Sequence, residues 1–119
     1  MKKLILAVAL LFALAGMANA ETLAWNAVTT YTDDTLIGTA TVTYEAIWST
    51  SSALTSPQPL TESGTTAPFV IDTAGMPRGS TIYFSVRATV AGTNSAWATP
   101  LSWLVPTKVP SAPTNLRMQ

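Results

Sequence analysis

The chain has 119 residues, six Lys or Arg against six Asp or Glu, four Trp, no His and no Cys. That balance excludes the basic face that nucleic acid demands. The missing His and Cys remove the commonest general base, the soft metal ligands and every Cys- or His-based nucleophile system, and no disulfide can support the fold.

The first stretch, MKKLILAVALLFALAGMANA, sets Lys2 and Lys3 before an apolar run from Leu4 to Ala15, followed by Gly16 and the small-residue triplet Ala18-Asn19-Ala20. This is the pattern of a secretory signal over residues 1–20, with cleavage after Ala20. The run is too short to span a bilayer core of ~30 Å as a helix and has no stop-transfer flank. The expected product is secreted or periplasmic, with no membrane attachment after cleavage. It carries four bases (Arg78, Arg87, Lys108, Arg117) and six acids, a net charge of −2, and is long enough for one small domain with one core.

From Glu21 onward no helical repeat is sustained, and short alternating segments take its place. Leu23, Trp25 and Ala27 alternate with polar neighbours, and Val42, Tyr44, Ala46 and Trp48 alternate with Thr41, Thr43, Glu45 and Ile47. Phe69 and Ile71 mark a shorter strand, Ile82, Phe84, Val86 and Ala88 a strong one, and Leu101, Trp103 and Val105 the last. Turn-rich stretches separate them at Tyr31 to Gly38, Ser49 to Thr65 and Ala91 to Ala96. The predicted fold class is all-β, an antiparallel sandwich whose core includes Trp25, Tyr44, Trp48, Ile82, Phe84, Val86 and Trp103.

The segment LAWNAVTTYTDDTLIGTATVTYEAIWSTSS resembles strands B and C of a bacterial fibronectin type III domain, with Trp25, the acidic turn Asp33-Asp34 and Tyr44 to Trp48 in the matching places. The segment MPRGSTIYFSVRATVAGTNSAWATPLSWLVP is similar to that family's E–F turn, strand F, F–G loop and strand G. The resemblance implies an immunoglobulin-like sandwich over residues 21–106 and a Pro-rich tail over 107–119. One departure stands out: Ile82 falls where the family carries a corner tyrosine, and Tyr83 follows it. Either the corner is lost or a bulge shifts the strand, and loss keeps Phe84, Val86 and Ala88 inward.

Catalytic constellations are missing. Asp33 and Asp34 are adjacent, so they cannot face each other as paired glycosidase carboxylates, and in a turn they serve its hydrogen bonds rather than calcium. Arg78-Gly79-Ser80 reads as a turn. No cofactor is expected and the chain is not read as an enzyme. The outward face of the second sheet instead gathers Glu45, Ile47, Tyr83, Ser85, Arg87 and Leu104, with Trp97 at the end of the F–G loop. Flat aromatics beside polar groups suit a protein or polysaccharide partner. The plainer reading is ordinary surface with a Glu45–Arg87 cross-strand pair.

A chain cleaved after Ala20 enters strand B at once, leaving strand A missing or displaced. The pattern Pro-x-x-Pro-x-x-Leu that the family places there occurs instead at Pro110, Pro113 and Leu116. Strand B would then present an unpaired edge. Reaching it with the correct polarity from the same chain strains the length of the tail, whereas a neighbouring copy supplies it simply, giving head-to-tail self-association. The competing expectation is a mobile terminal remnant. The function expected is a non-catalytic exported module with a structural, adhesive or protein-binding role at the bacterial surface or outside the cell. The alternatives are a carbohydrate-binding module using exposed aromatics, and an accessory or inhibitor that docks on an exported enzyme.

Overall fold

The computed structural model describes residues 11–14 and 20–119. The strands are β1 (Leu11–Leu14), β2 (Ala20–Ala24), β3 (Val42–Ser49), β4 (Gln58–Leu60), β5 (Thr66–Val70), β6 (Thr81–Val90), β7 (Thr93–Asn94) and β8 (Leu101–Leu104), with a single helical turn, α1 (Ile71–Ala74). All pairings are antiparallel. One sheet has the order β1-β2-β5; the other runs β4-β3-β6-β7, with β8 also on β6.

The spine of the molecule is β6, whose sequence TIYFSVRATV alternates β-branched or aromatic residues with polar ones. Ile82, Phe84, Val86 and Ala88 are all fully buried, while Tyr83 and Arg87 on the opposite face are half-buried. The strand continues in register against β3 from Val42↔Val90 to Ser49↔Tyr83 without a bulge. Ile82 thus replaces the corner tyrosine and Tyr83 faces away from the core. Phe84 sits in a triangle with Phe69 and Trp103, at centroid distances of 5.4 and 5.9 Å, and Phe69 meets Trp103 edge-on at 5.7 Å. Rings from both sheets so interlocked form the centre of the core, and burying a side chain such as Phe84 contributes about 1.5–3 kcal/mol.

Trp25, Trp48, Ile82, Phe84 and Val86 are buried, and half-buried Tyr44 and Trp103 pack against them. A second cluster, of Val28, Ile37, Ala88 and Val90, lies at the other end of β6, and Tyr44 touches both. The alternation expected through Ala27 stops at Trp25. Beyond it the chain leaves the strand, exposing Ala27 and burying Val28.

Two elements fall in stretches that read as turns. Gln58–Leu60 is a short edge strand on β3, and Pro59 is tolerated because an edge position needs donors on one side only. Thr93–Asn94 closes a hairpin on β6 through Ala91 and Gly92, both at positive φ (50° and 80°), as a tight two-residue hairpin turn requires.

The edge of β2 was expected to be open once residues 1–20 are removed; in the full-length chain Leu11–Leu14 occupies it as a strand paired with β2, from Leu11↔Ala24 to Leu14↔Glu21. A strand edge is a row of unmet donors and acceptors, and the apolar upstream segment meets them. Lys2, Lys3 and the Ala18-Asn19 part of the cleavage pattern lie outside the described residues.

Candidate binding face

Outward-facing residues of β3, β6 and β8 form the candidate face. In register across the sheet, Glu45 lies opposite Arg87, Ile47 opposite Ser85, and Ser49 opposite Tyr83, which in turn faces Ser102. Arg87 directs both Nε and an Nη to the same Glu45 oxygen, at 2.8 and 2.7 Å. Its guanidinium also stacks on Trp97, with Cζ 4.6 Å from the ring centroid. One side chain therefore joins an acid on the neighbouring strand to an aromatic on the following loop.

Trp97 is held there by its neighbours. The amides of Ser95 and Ala98 donate to the carbonyls of Ala88 and Val86 (2.7 and 3.0 Å), and the Ser85 hydroxyl donates to the Ala98 carbonyl at 2.7 Å. Ser95 Oγ also accepts from the Ala88 amide. These bonds lay residues 95–98 along β6 as an irregular extension of the edge, so Trp97 arrives over Arg87 on a pinned backbone. Ser85, an outward residue by strand parity, is fully buried beneath this segment.

Of the residues assigned to this face from sequence, Tyr83, Arg87 and Trp97 are half-buried and Leu104 is 63 % exposed. Ile47 is buried at 4 % exposure and belongs to the floor of the face rather than to its surface. The reason is the unforeseen β4: with Pro59 in register on one side and Ser85 on the other, β3 is an interior strand. The net effect is a largely apolar and hydroxyl-bearing surface whose cation is engaged by Glu45 and Trp97.

Elsewhere the polar residues serve the chain itself. Asp33 Oδ1 accepts from the amide and hydroxyl of Thr35, Asp34 takes φ 65°, and its amide donates to the Tyr31 carbonyl, so this acidic pair shapes a turn. Pro77 to Ser80 is also a turn, with Gly79 at φ 78°. At this pole Asp72 receives Lys108 at 3.1 Å and Arg78 at 3.0 Å, while Arg78 also donates to the Pro106 carbonyl. These two cations hold the Asp72 carboxyl below its ordinary range, the hydrogen bond from Lys108 first and that from Arg78 next. The cluster fixes where segment 107–119 leaves the sandwich. Past Lys108 that segment forms no strand, and Val109, Leu116 and Met118 are 81, 96 and 96 % exposed; Pro110 and Pro113 are exposed with them.

Between the sheets near Ala20 is a cleft of about 450 Å³, walled by Leu60, Phe69, Val70 and Ala74, with Glu21 in its lining. The Glu21 carboxyl is buried, its Oε2 has no hydrogen-bond partner, and burial pushes its pKa up from the model-compound value of 4.5. Among the described residues no cluster of three or more His, Cys, Asp or Glu is placed to hold a metal ion, and no helix is long and apolar enough to cross a membrane.

A three-stranded sheet packed on a five-stranded one, all antiparallel, defines an immunoglobulin-like β-sandwich. A solved fibronectin type III domain, derived from the human KIAA0970 protein, is similar over 94 % of this chain and 82 % of its own, with a TM-score of 0.63 at 10 % identity. The chain has a fibronectin type III-like fold. No protein-family model matches the sequence, and no curated protein does.

Proposed function

We propose that the chain is an exported, non-catalytic module with a structural, adhesive or protein-binding role at the bacterial surface or outside the cell. The fold supports a module of this kind without fixing a partner. The observation that carries a protein-binding role is the outer face of β6 and β8. Half-buried Tyr83 and exposed Leu104 lie beside Ser102, while the charge of Arg87 is already met within the face. An aromatic anchor with little uncompensated charge around it suits the centre of a protein contact. A sugar-stacking role calls for a bare aromatic plane, and Trp97 gives one of its faces to Arg87. Export rests on the Lys2-Lys3, apolar-run and small-residue pattern of residues 1–20.

Two measurements test this reading. The intact mass of the protein recovered from periplasm and medium is expected to lack residues 1–20; retention in the cytoplasm at full mass overturns export. The processed protein, immobilised, is expected to retain a surface or secreted protein that Tyr83→Ala and Leu104→Asp release. Binding to a glycan array that is lost with Tyr83→Ala would replace the protein-binding role with the carbohydrate one.

A further inference from the structure

The pairing of β1 with β2 places a segment of the proposed signal at the free flank of β2. If residues 1–20 are removed on export, as proposed above, β1 goes with them and β2 loses its partner along one whole edge. Glu21 to Ala24 would then present unmet backbone groups beside a core built on Leu23. Something of the same register must take the place of β1.

The register on the page is specific. Phe12 lies opposite Leu23 and Leu14 opposite Glu21, the two buried residues of β2, and Ala13 between them lies opposite Thr22. The position therefore calls for large apolar residues two apart, with a residue between them that tolerates solvent. Asn115-Leu116-Arg117-Met118 meets that demand, since Leu116 and Met118 are two apart and flanked by polar residues. The stretch Thr114–Met118 holds no proline, so no donor toward β2 is missing, whereas Pro110 and Pro113 precede it. Leu116 and Met118 are also among the most exposed large apolar side chains of the molecule, 96 % each.

Polarity selects the donor. Antiparallel pairing puts Asn115 at the Ala24 end and Met118 at the Ala20 end, as Leu11 and Leu14 are placed now. The tail, however, leaves the sandwich at the Ala20 end: Ala20 pairs with Val70, α1 follows at once, and Lys108 is tied to Asp72 within it. To serve its own β2, the segment would have to climb the length of the strand, turn and descend within the few residues after Lys108. A second copy needs no such reversal. We propose that in the processed protein Asn115–Met118 of one copy replaces β1 on β2 of another, with Leu116 opposite Leu23 and Met118 opposite Glu21, and that repetition of this contact yields head-to-tail chains.

The absence of native Cys makes the register directly testable. Exported protein carrying Asn115→Cys is mixed with exported protein carrying Ala24→Cys, and the pair is oxidised. Facing Cα atoms in an antiparallel ladder lie within disulfide reach. The expected result is a disulfide-linked heterodimer in high yield, at least tenfold above that from Asn115→Cys with Thr22→Cys, and lost on adding Leu116→Asp to the donor. Light scattering on the parent is expected to show masses rising with concentration, and Leu116→Asp to show a monomer of unchanged circular dichroism. An intrachain disulfide in monomeric Ala24→Cys/Asn115→Cys protein, or equal yields at Ala24 and Thr22, overturns the proposal. Intact mass separates the underlying reading: if residues 1–20 remain attached, export fails. The same cross-link is then measured after cutting at a protease site placed between Ala20 and Glu21, where a heterodimer still upholds the strand replacement and none overturns it.

Discussion

The hydroxyl of Tyr44 accepts a hydrogen bond from the backbone amide of Val28, 2.8 Å away, while the Tyr44 ring meets Trp25 edge-on at 5.6 Å. A strand residue of one sheet thereby fixes the chain as it leaves β2 of the other, at the junction of the two apolar clusters. Tyr44→Phe keeps the ring and leaves the amide of Val28 without its partner. The expected loss is about 1–2 kcal/mol in urea denaturation with an unchanged m-value.

Arg87, Glu45 and Trp97 form a chain of two contacts through one guanidinium. A double-mutant cycle with Arg87→Ala and Trp97→Ala is expected to give a coupling of about 0.5–1 kcal/mol, typical of a partly exposed cation–π pair. Glu45→Ala with Arg87→Ala is expected to give about 0.2–1 kcal/mol, falling in high salt. Arg87→Lys should lose most of both, since a point charge cannot stack and bridge at once.

Two carboxyls set opposite pH slopes. The buried Glu21 has a raised pKa, so between its unfolded and folded values the native state keeps a proton that the unfolded chain has released. Its contribution is intact below the unfolded value and is lost as pH rises through the folded one. Glu21→Gln is expected to be more stable than the parent at pH 7 and to converge with it toward pH 4. Asp72 is held low by Lys108 and Arg78, so its contribution is present above the unfolded value and disappears as pH falls through the folded one. Asp72→Asn is expected to be less stable at pH 7 and to converge with the parent in strong acid. Denaturation midpoints across the range check both signs.

Gly79 takes φ 78°, and a Cβ built on it would lie 3.1 Å from Cγ2 of Thr107. Gly79→Ala is expected to cost about 1–2 kcal/mol from the backbone alone, as alanine does where φ is positive. The same change in a Thr107→Gly background should recover the steric part and leave the backbone part, a difference readable in thermal midpoints.

Much of the sandwich was legible because strand chemistry repeats every two residues. Ile82, Phe84, Val86 and Ala88 announce a buried face by themselves, and the one-residue offset of Tyr83 is enough to turn it outward. The pattern weakens where a strand is short or its neighbours are unknown. Gln58–Leu60 contains a proline inside a Ser/Thr-rich stretch and is a strand only because β3 offers it an edge. Ile47 reads as surface until that strand lies beside it, and Val28 displaces Ala27 because the chain bends after Trp25 to meet Tyr44.

The binding face shows the same division. Tyr83, Arg87 and Leu104 share a face by parity alone, so their grouping follows from the order of residues. The stacking of Arg87 on Trp97 depends on a hairpin and on bonds from Ser85, Ser95 and Ala98 that bring a loop back along β6.

Local order in the sequence thus determined the all-β class, the inward residues of the long strands and the turns at Asp33-Asp34 and Gly79, because each depends on neighbours two to four positions away. Only the tertiary structure decided what flanks β2, what covers Ile47 and what Arg87 touches. Those contacts join segments far apart in the chain, where competition among several apolar segments for one free edge is settled by the fold as a whole.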